Sequence, residues 1–195
     1  MKVIVLAEEG MSPARIGLSL SFYDHQEDLK TWWGVEKIEK ANKRMQALAF
    51  RNGGHNKFLE SLQVWVFIQA TRGFWQEFDT YRVGITKQSA STMHTLDKRE
   101  VTAADFEVGT SAVSIAAFNT CLMQYKDPES EYFKDINRLK ENLPEGWLQE
   151  RIVNTNYKVL QNMVAQREKH RYKHWRTFVE ELKLQLKYSE FIFQD

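Results

Sequence analysis

Residues 62–70 read LQVWVFIQA, and the fold turns on how this stretch is read. At a side-chain period of two, Leu62, Val64, Val66 and Ile68 share one face while Trp65 and Phe67 share the other. Both faces are largely apolar, the pattern of a strand covered on both sides. From Arg72 to Tyr81 the period becomes helical: Phe74, Phe78 and Tyr81 lie on one side, and Arg72, Gln76, Asp79 and Thr80 on the other. A buried strand followed at once by an amphipathic helix predicts a sheet layered with helices.

Toward the N-terminus, KVIVL at residues 2–6 reads as a second buried strand. Ser12-Pro13 then supplies a cap and a first-turn proline, and Ile16, Leu20 and Tyr23 carry a helical stripe. The turn AEEGMSP has one glycine where the dinucleotide fingerprint needs three, and no GxxxxGK occurs, which excludes both nucleotide motifs. Trp33 to Arg51 is predicted helical on Ile38, Met45 and Leu48, and Asn52-Gly53-Gly54 stops it. Toward the C-terminus, residues 83–97 carry five hydroxyls without a period and are predicted to be a loop. Thr110 to Tyr125 is predicted to be a buried helix on Val113, Ala116, Ala117, Phe118 and Leu122. A final helical element is expected from Thr155 to Lys187, broken near His170. No repeat, low-complexity tract or linker interrupts the sequence. The expectation is one α+β or α/β domain over residues 1–195, a central sheet flanked by helices, with more helix than strand.

Composition bounds the function. The 195 residues are 43% hydrophobic and 13% aromatic, which is the make-up of a packed core. With 27 basic residues against 26 acidic ones there is no general field for a polyanion, so nucleic acid would need a local patch. No apolar run approaches the roughly 20 residues of a membrane helix. The short apolar N-terminus runs straight into two glutamates, unlike a secretory signal. A cytoplasmic protein is expected, in the host cell if a virus carries the gene. Cys121 is the only cysteine, which excludes an internal disulfide.

The last helix carries the sharpest chemical signal. Val159, Leu160, Met163 and Val164 form one arc at 100° per residue, with Asn156 and Arg167 near its centre. A guanidinium within an apolar stripe is costly unless a carboxylate or phosphate meets it, and its planar fork suits phosphate. Asn156 and Arg167 would stand roughly 16 Å apart along the helix, within reach of one extended ligand. Lys158 and Asn162 form an i, i+4 pair beside that line. The competing reading gives Arg167 an internal ion pair and Asn156 a capping role. Beyond Arg167, EKHRYKHWR interleaves bases with Tyr172 and Trp175, a pattern that either grips single-stranded nucleic acid or is a solvated helix face.

Other candidates are weaker. His55 and His94 have no partner at metal spacing, so no metal site is predicted. Cys121 lies in the apolar run AAFNTCLM, where a thiol is ordinarily inert packing, and no GxSxG surrounds a serine. Positioning and electrostatic chemistry, or a bound cofactor, is the reading that remains.

Several spacings together resemble the flavin-dependent thymidylate synthases. Gly54-His55 is followed by Glu60, then by the apolar strand and the helix that leads into Thr80-Tyr81-Arg82. The family has an Arg-His-Arg triplet at that point, with a serine seven or eight residues beyond; here the serine is Ser91, or Ser89 if the loop is shorter. Asn156, Lys158, Asn162 and Arg167 repeat a second family spacing, and Leu143-Pro144 precedes them as a Leu-Pro does in the family. The resemblance covers residues 54–91 and 143–167, and more faintly the first strand and helix.

The resemblance implies a homotetramer whose flavin sites are shared between subunits. It implies FAD as cofactor, dUMP as substrate, methylenetetrahydrofolate as one-carbon donor and NADPH as reductant, with no cysteine nucleophile. By position, His55, Asn156, Lys158 and Asn162 would contact FAD. Gln76, Arg82, Ser91 (or Ser89) and Arg167 would address the nucleotide, with Arg82, Ser91 and Arg167 as the catalytic set. The chain departs from the family at Thr80 and Tyr81, where an arginine and a histidine are expected, and nearby Arg72 is the candidate replacement cation. Losing an anion-gripping arginine costs about 1.5–3 kcal/mol, or one to two powers of ten in binding. The alternatives are a protein of the same fold that acts on another pyrimidine nucleotide or binds without turnover, and a single-stranded nucleic-acid binder.

Overall fold

The computed structural model describes residues 1–194. Its strands are β1 (Lys2–Glu9), β2 (Gln63–Thr71), β3 (Thr86–Ser89) and β4 (Leu148–Asn156), joined in one sheet of order β1-β2-β4-β3. The helices are α1 (Met11–Ser19), α2 (Leu29–Trp32), α3 (Val35–Leu48), α4 (Arg72–Phe78), α5 (Ala112–Lys126), α6 (Ile136–Glu141), α7 (Tyr157–Arg167) and α8 (Lys173–Gln185). This is an α+β arrangement, a four-stranded sheet flanked by helices.

β2 forms where the alternating run predicts it and lies inside the sheet. Val64, Val66, Ile68 and Ala70 are buried, while Gln63, Trp65, Phe67 and Gln69 are half-buried, so one face is sealed and the other partly covered. The sequence KVIVL also forms a strand, but only Val3 of β1 is buried and Leu6 is 51% exposed. At the end of the strand order β1 has one neighbour, which leaves much of it in solvent. β4, the second inner strand, is not foreseen in the sequence. Its stretch LQERIVNTN buries only Val153 and Thr155, and the polar residues between them hide the alternation. β3 replaces part of the expected loop; all its residues are polar, and Lys87 alone is half-buried. Thr155 belongs to β4 rather than to the last helix, which then divides into α7 and α8 across residues 168–172, near the expected break at His170.

The chain packs as two compact units, each discontinuous in sequence. The first comprises Met1–Lys2, Ile68–Tyr81 and Gln88–Ile152; the second comprises Val3–Phe67, Arg82–Lys87 and the chain from Val153 onward. In the first unit Leu96, Val101, Phe106, Phe118, Leu122 and Leu139 form a core around α5 and α6, and Cys121 is buried within it. α5 itself is less buried than predicted. Phe118, Cys121 and Leu122 face inward, but Val113 is 77% exposed and Ala116 and Ala117 are exposed. Ala112, Val113, Ala116 and Met123 interrupt the outer side that carries Asn119, Thr120, Gln124 and Lys126, so no clean polar face marks which side is turned inward.

In the second unit α3 packs on α1 through Ala41, Met45 and Ala14, and α7 packs on α8 through a core that includes Leu160, Met163, Trp175 and Phe178. Gly10, at φ +98°, starts α1 so close to the 3-10 turn Lys57–Ser61 that a Cβ would lie 2.1 Å from the Ser61 carbonyl oxygen. Only glycine permits that approach. It sets α1 directly against the segment that carries His55. Among the described residues, no helix is long and apolar enough to cross a membrane.

Candidate active site

In the second unit, the segment after α3 turns through Gly53 and Gly54, both at positive φ, and leaves His55 exposed. The next residue, Asn56, is buried and fixes the turn: its Nδ2 donates to the Ala49 carbonyl at 2.9 Å and its Oδ1 accepts from Lys158 Nζ at 3.0 Å. His55 and Lys158, far apart in sequence, are thus brought together through Asn56. The Tyr157 amide donates to the Leu62 carbonyl at 3.0 Å and holds the start of α7 beside the same turn.

Asn156 ends β4 and caps α7, its Oδ1 accepting from the Val159 amide at 3.0 Å. The capping role weighed in the sequence is therefore met, and Nδ2 makes no hydrogen bond among the described residues. Gly84, at φ +70°, lies against this first turn. A Cβ there would be 3.3 Å from Asn156 Nδ2 and 2.9 Å from Val159 Cγ2, and the Gly84 carbonyl accepts from Thr155 Oγ1 at 3.0 Å. Exposed Arg82 precedes this turn by two residues. Asn162 is exposed farther along α7 and accepts from Gln166 Nε2 at 3.0 Å.

Arg167 is the last residue of α7, where a cation favours the helix dipole. It is half-buried rather than enclosed in apolar surroundings. Its guanidinium carbon lies 4.6 Å over the Trp175 ring, and Nη1 is 2.9 Å from His170 Nε2. His170 Nδ1 also faces a donor, the Tyr172 amide at 3.2 Å. A neutral imidazole accepts at one nitrogen only, so these two contacts compete.

Of these residues Gly54 and His55 border a cleft of about 830 Å³ in the second unit, within the size range of small-molecule sites, whereas Asn156, Lys158, Asn162, Arg167 and Arg82 are not among its lining. Ala14 and Phe58 are its buried apolar base, and Leu18, Leu48 and the 65% exposed ring of Phe22 extend the apolar wall. Its ionisable lining is Arg44, His55, Lys57 and Glu60. Arg44 and Lys57 escape the sequence reading. The only signal for Arg44 is its i, i+4 relation to Leu48 on α3, and such a pair is ordinarily surface decoration.

The first unit carries the remaining expected residues. Gln76 is exposed on α4, Ser89 ends β3, and Ser91 precedes the 3-10 turn Thr92–His94. α4 is shorter than predicted because Thr80 Oγ1 donates back to the Glu77 carbonyl at 2.7 Å, in competition with helical bonding. Tyr81 packs edge-on near Phe78, with ring centroids 6.4 Å apart. Arg72, the candidate replacement cation, is engaged within the protein. Its Nη1 donates to the Leu143 carbonyl, and its Nη2 is 3.8 Å from Glu145. Arg151, unforeseen in the sequence, bridges both oxygens of Asp79 at 3.1 Å and stacks 4.3 Å over Trp75. A second cavity in this unit, of about 520 Å³, is lined by polar groups that already pair: Arg99 with Asp105 and Gln69 with Glu150.

The nucleic-acid reading of residues 167–176 meets an obstacle. Trp175 is fully buried and His174 nearly so, and the Tyr172 ring is turned to His174 at 4.7 Å between centroids. A buried indole offers no face on which a base can stack.

No protein-family model matches the chain, and no curated protein is similar to it in sequence. Its backbone does superpose on solved structures. Thymidylate synthase X from Helicobacter pylori, crystallised with FAD and dUMP, matches with a TM-score of 0.76 at 19% identity, covering 100% of this chain and 98% of that one. A second structure, the flavin-dependent thymidylate synthase of the same bacterium with FAD and dUMP, matches with a TM-score of 0.77 at 19% identity, covering 100% and 99%. The chain shares their fold. The fold that the sequence resemblance implies is the one the backbone has, although about four-fifths of the residues differ.

Proposed function

We propose that the protein is a flavin-dependent enzyme of pyrimidine nucleotide metabolism, and that its reaction is the reductive methylation of dUMP. The observation that carries this reading is the end-to-end match of the fold to proteins crystallised with FAD and dUMP. The residues fit a flavin. The cleft bordered by His55 has an apolar base for a flat ring, and the cations beside it suit a diphosphate. When bound, FAD would supply hydride chemistry that no side chain of this protein provides.

In this reading the whole chain acts as one domain. His55 borders the ring, Lys158 is held by Asn56 to address an anionic or carbonyl oxygen, and Asn156 offers Nδ2. Asn162 extends the same row along α7. Arg82 and Arg167 bring fixed positive charge to the nucleotide. The assignments of Gln76, Ser89 and Ser91 to the nucleotide rest on the resemblance alone, as do methylenetetrahydrofolate, NADPH and the homotetramer.

Purification under mild conditions tests the proposal. A yellow chromophore, FAD binding by calorimetry and tritium release from dUMP labelled at C5 are expected. Absence of FAD binding ends the flavin reading. A second reading, binding without turnover, is favoured by the internal bonding of both Thr80 and Arg72. It requires FAD and dUMP to bind while no tritium is released.

A further inference from the structure

Six arginines are half-buried: Arg15, Arg44, Arg72, Arg138, Arg151 and Arg167. Five of them aim at least one N–H at a protein acceptor. Arg15 donates to Asn42, Arg72 to the Leu143 carbonyl, Arg138 to Gln124 and Arg151 to Asp79, and Arg167 faces His170. Arg44 differs. Its guanidinium carbon lies 3.9 Å over the Phe22 ring, and among the described residues it makes no hydrogen bond and has no carboxylate within 4.0 Å.

Stacking fixes the plane of a guanidinium while leaving its five N–H groups, which lie at the edge, without partners. A partly desolvated fork of that kind is poised for an anion with two oxygens in one plane, and it is better matched to phosphate than a lysine would be. The fork borders the 830 Å³ cleft, whose lining among the described residues includes Arg44, Lys57 and a single carboxylate, Glu60. The 520 Å³ cavity of the other unit offers a control within the same protein. Its arginine, Arg99, already closes a two-pronged pair with Asp105 and has no such vacancy.

We propose that Arg44 is the phosphoryl-gripping residue of this cleft, taking the oxygens of a phosphorylated aromatic guest whose ring rests on Ala14, Leu48 and Phe58. The identity of that ring rests on the functional reading above; the phosphoryl contact does not. The phosphoryl group belongs to the flavin nucleotide or to the pyrimidine nucleotide, and the arms of the test separate the two.

The test titrates the wild-type, Arg44→Met and Arg44→Lys proteins with FAD, riboflavin, dUMP and deoxyuridine, and follows thermal stabilisation by inorganic pyrophosphate. Arg44→Met keeps the length and the apolar contact with Phe22. It is expected to weaken FAD or dUMP by about 10- to 100-fold, the worth of a charge-assisted contact. Riboflavin and deoxyuridine should bind unchanged, and Arg44→Lys should recover part of the loss. If FAD alone responds the phosphoryl source is the flavin; if dUMP alone responds it is the substrate. Should the wild type bind no flavin while Arg44→Met abolishes stabilisation by pyrophosphate, the Arg44 site stands and the flavin reading falls. Equal weakening of FAD and riboflavin would make Arg44 a wall of the cleft and overturn the proposal. So would unchanged binding of every phosphorylated probe, and if Arg44→Met fails to fold, Arg44→Gln takes its place and is judged by the same outcomes.

Discussion

Asn156 serves two ends through two atoms, and substitutions can separate them. Oδ1 caps α7 by accepting from the Val159 amide, while Nδ2 is the donor assigned to FAD. Asn156→Ala removes both. Loss of a side-chain cap costs about 1 kcal/mol, which lowers the melting temperature of a chain this size by about 2–4 °C. Asn156→Asp keeps an oxygen at the cap and places a negative charge at the positive end of the helix dipole, so stability should stay within about 0.5 kcal/mol of wild type. The same change replaces a donor by a carboxylate, and a lost bond to a charged group is worth about 1.5–3 kcal/mol, or roughly 10- to 150-fold in affinity. Urea denaturation and FAD titration on the same preparations read the two effects. The expected result is that Ala lowers both stability and affinity, whereas Asp lowers affinity alone. An Asp variant that binds FAD as tightly as wild type would falsify the assignment of Nδ2, and an Ala variant with an unchanged urea midpoint would remove the cap from the account.

Three further outcomes follow from the same geometry. Gly84→Ala forces a Cβ to 2.9 Å from Val159 Cγ2 at φ +70°, and it should destabilise by about 1–2 kcal/mol; an unchanged melting temperature would show that the 82–87 segment yields freely. Tyr157 donates its hydroxyl to Glu8, whose carboxylate also accepts from the Lys187 amide at 3.1 and 3.0 Å. Burial first, and the bond to Glu8 second, push the phenol well above its ordinary value of 10.0, so the folded chain holds this proton more tightly than the unfolded one. That stabilisation is complete below about pH 10 and is lost as the pH rises beyond it. Tyr157→Phe should cost about 1–2 kcal/mol at neutral pH and flatten the alkaline limb of a stability–pH curve, and a limb as steep as wild type would assign it to other groups. Under the proposed function, Thr80→Arg places an arginine at the exposed position where the resemblance expects one; calorimetry should find dUMP bound about tenfold tighter or better, and no gain would show that this position does not meet the anion.

The legible parts of the fold were those where one period dominates. Residues 62–70 alternate cleanly, and α3 and α7 carry apolar residues at helical spacing, so their places could be read directly. β4 could not, because Glu150, Arg151 and Asn154 break its alternation. Arg151 belongs there for a reason invisible in one dimension: its charge is matched by Asp79 and its plane by Trp75, both on another element. β3 has no period to find, since its residues are all polar and mostly exposed. The site divides along the same line. The capping role of Asn156 was one of two readings open in the sequence, and the helical row from Asn156 to Arg167 survives as α7 with its cap. Arg44 and Lys57 stay hidden because their meaning lies in a cleft formed by α1, α3 and the Lys57–Ser61 turn.

The altered triplet takes on a different weight once the partners of each arginine are known. Arg72 is the cation that the sequence resemblance offers in place of an arginine at position 80, yet it secures the 143–145 turn through the Leu143 carbonyl and Glu145. Freeing it for a ligand would forfeit contacts worth about 1–3 kcal/mol before any anion was bound. Arg151 is engaged more deeply still, with Asp79, Gln149 and Trp75 all in contact. An incoming phosphate gains most from cations that give up nothing to meet it. Arg82 is exposed and Arg44 is stacked but without an acceptor, and both belong to the second unit, as do His55, Asn156 and Lys158. Within the second unit, Arg44 is therefore the cation that an anion in the 830 Å³ cleft can recruit at least cost.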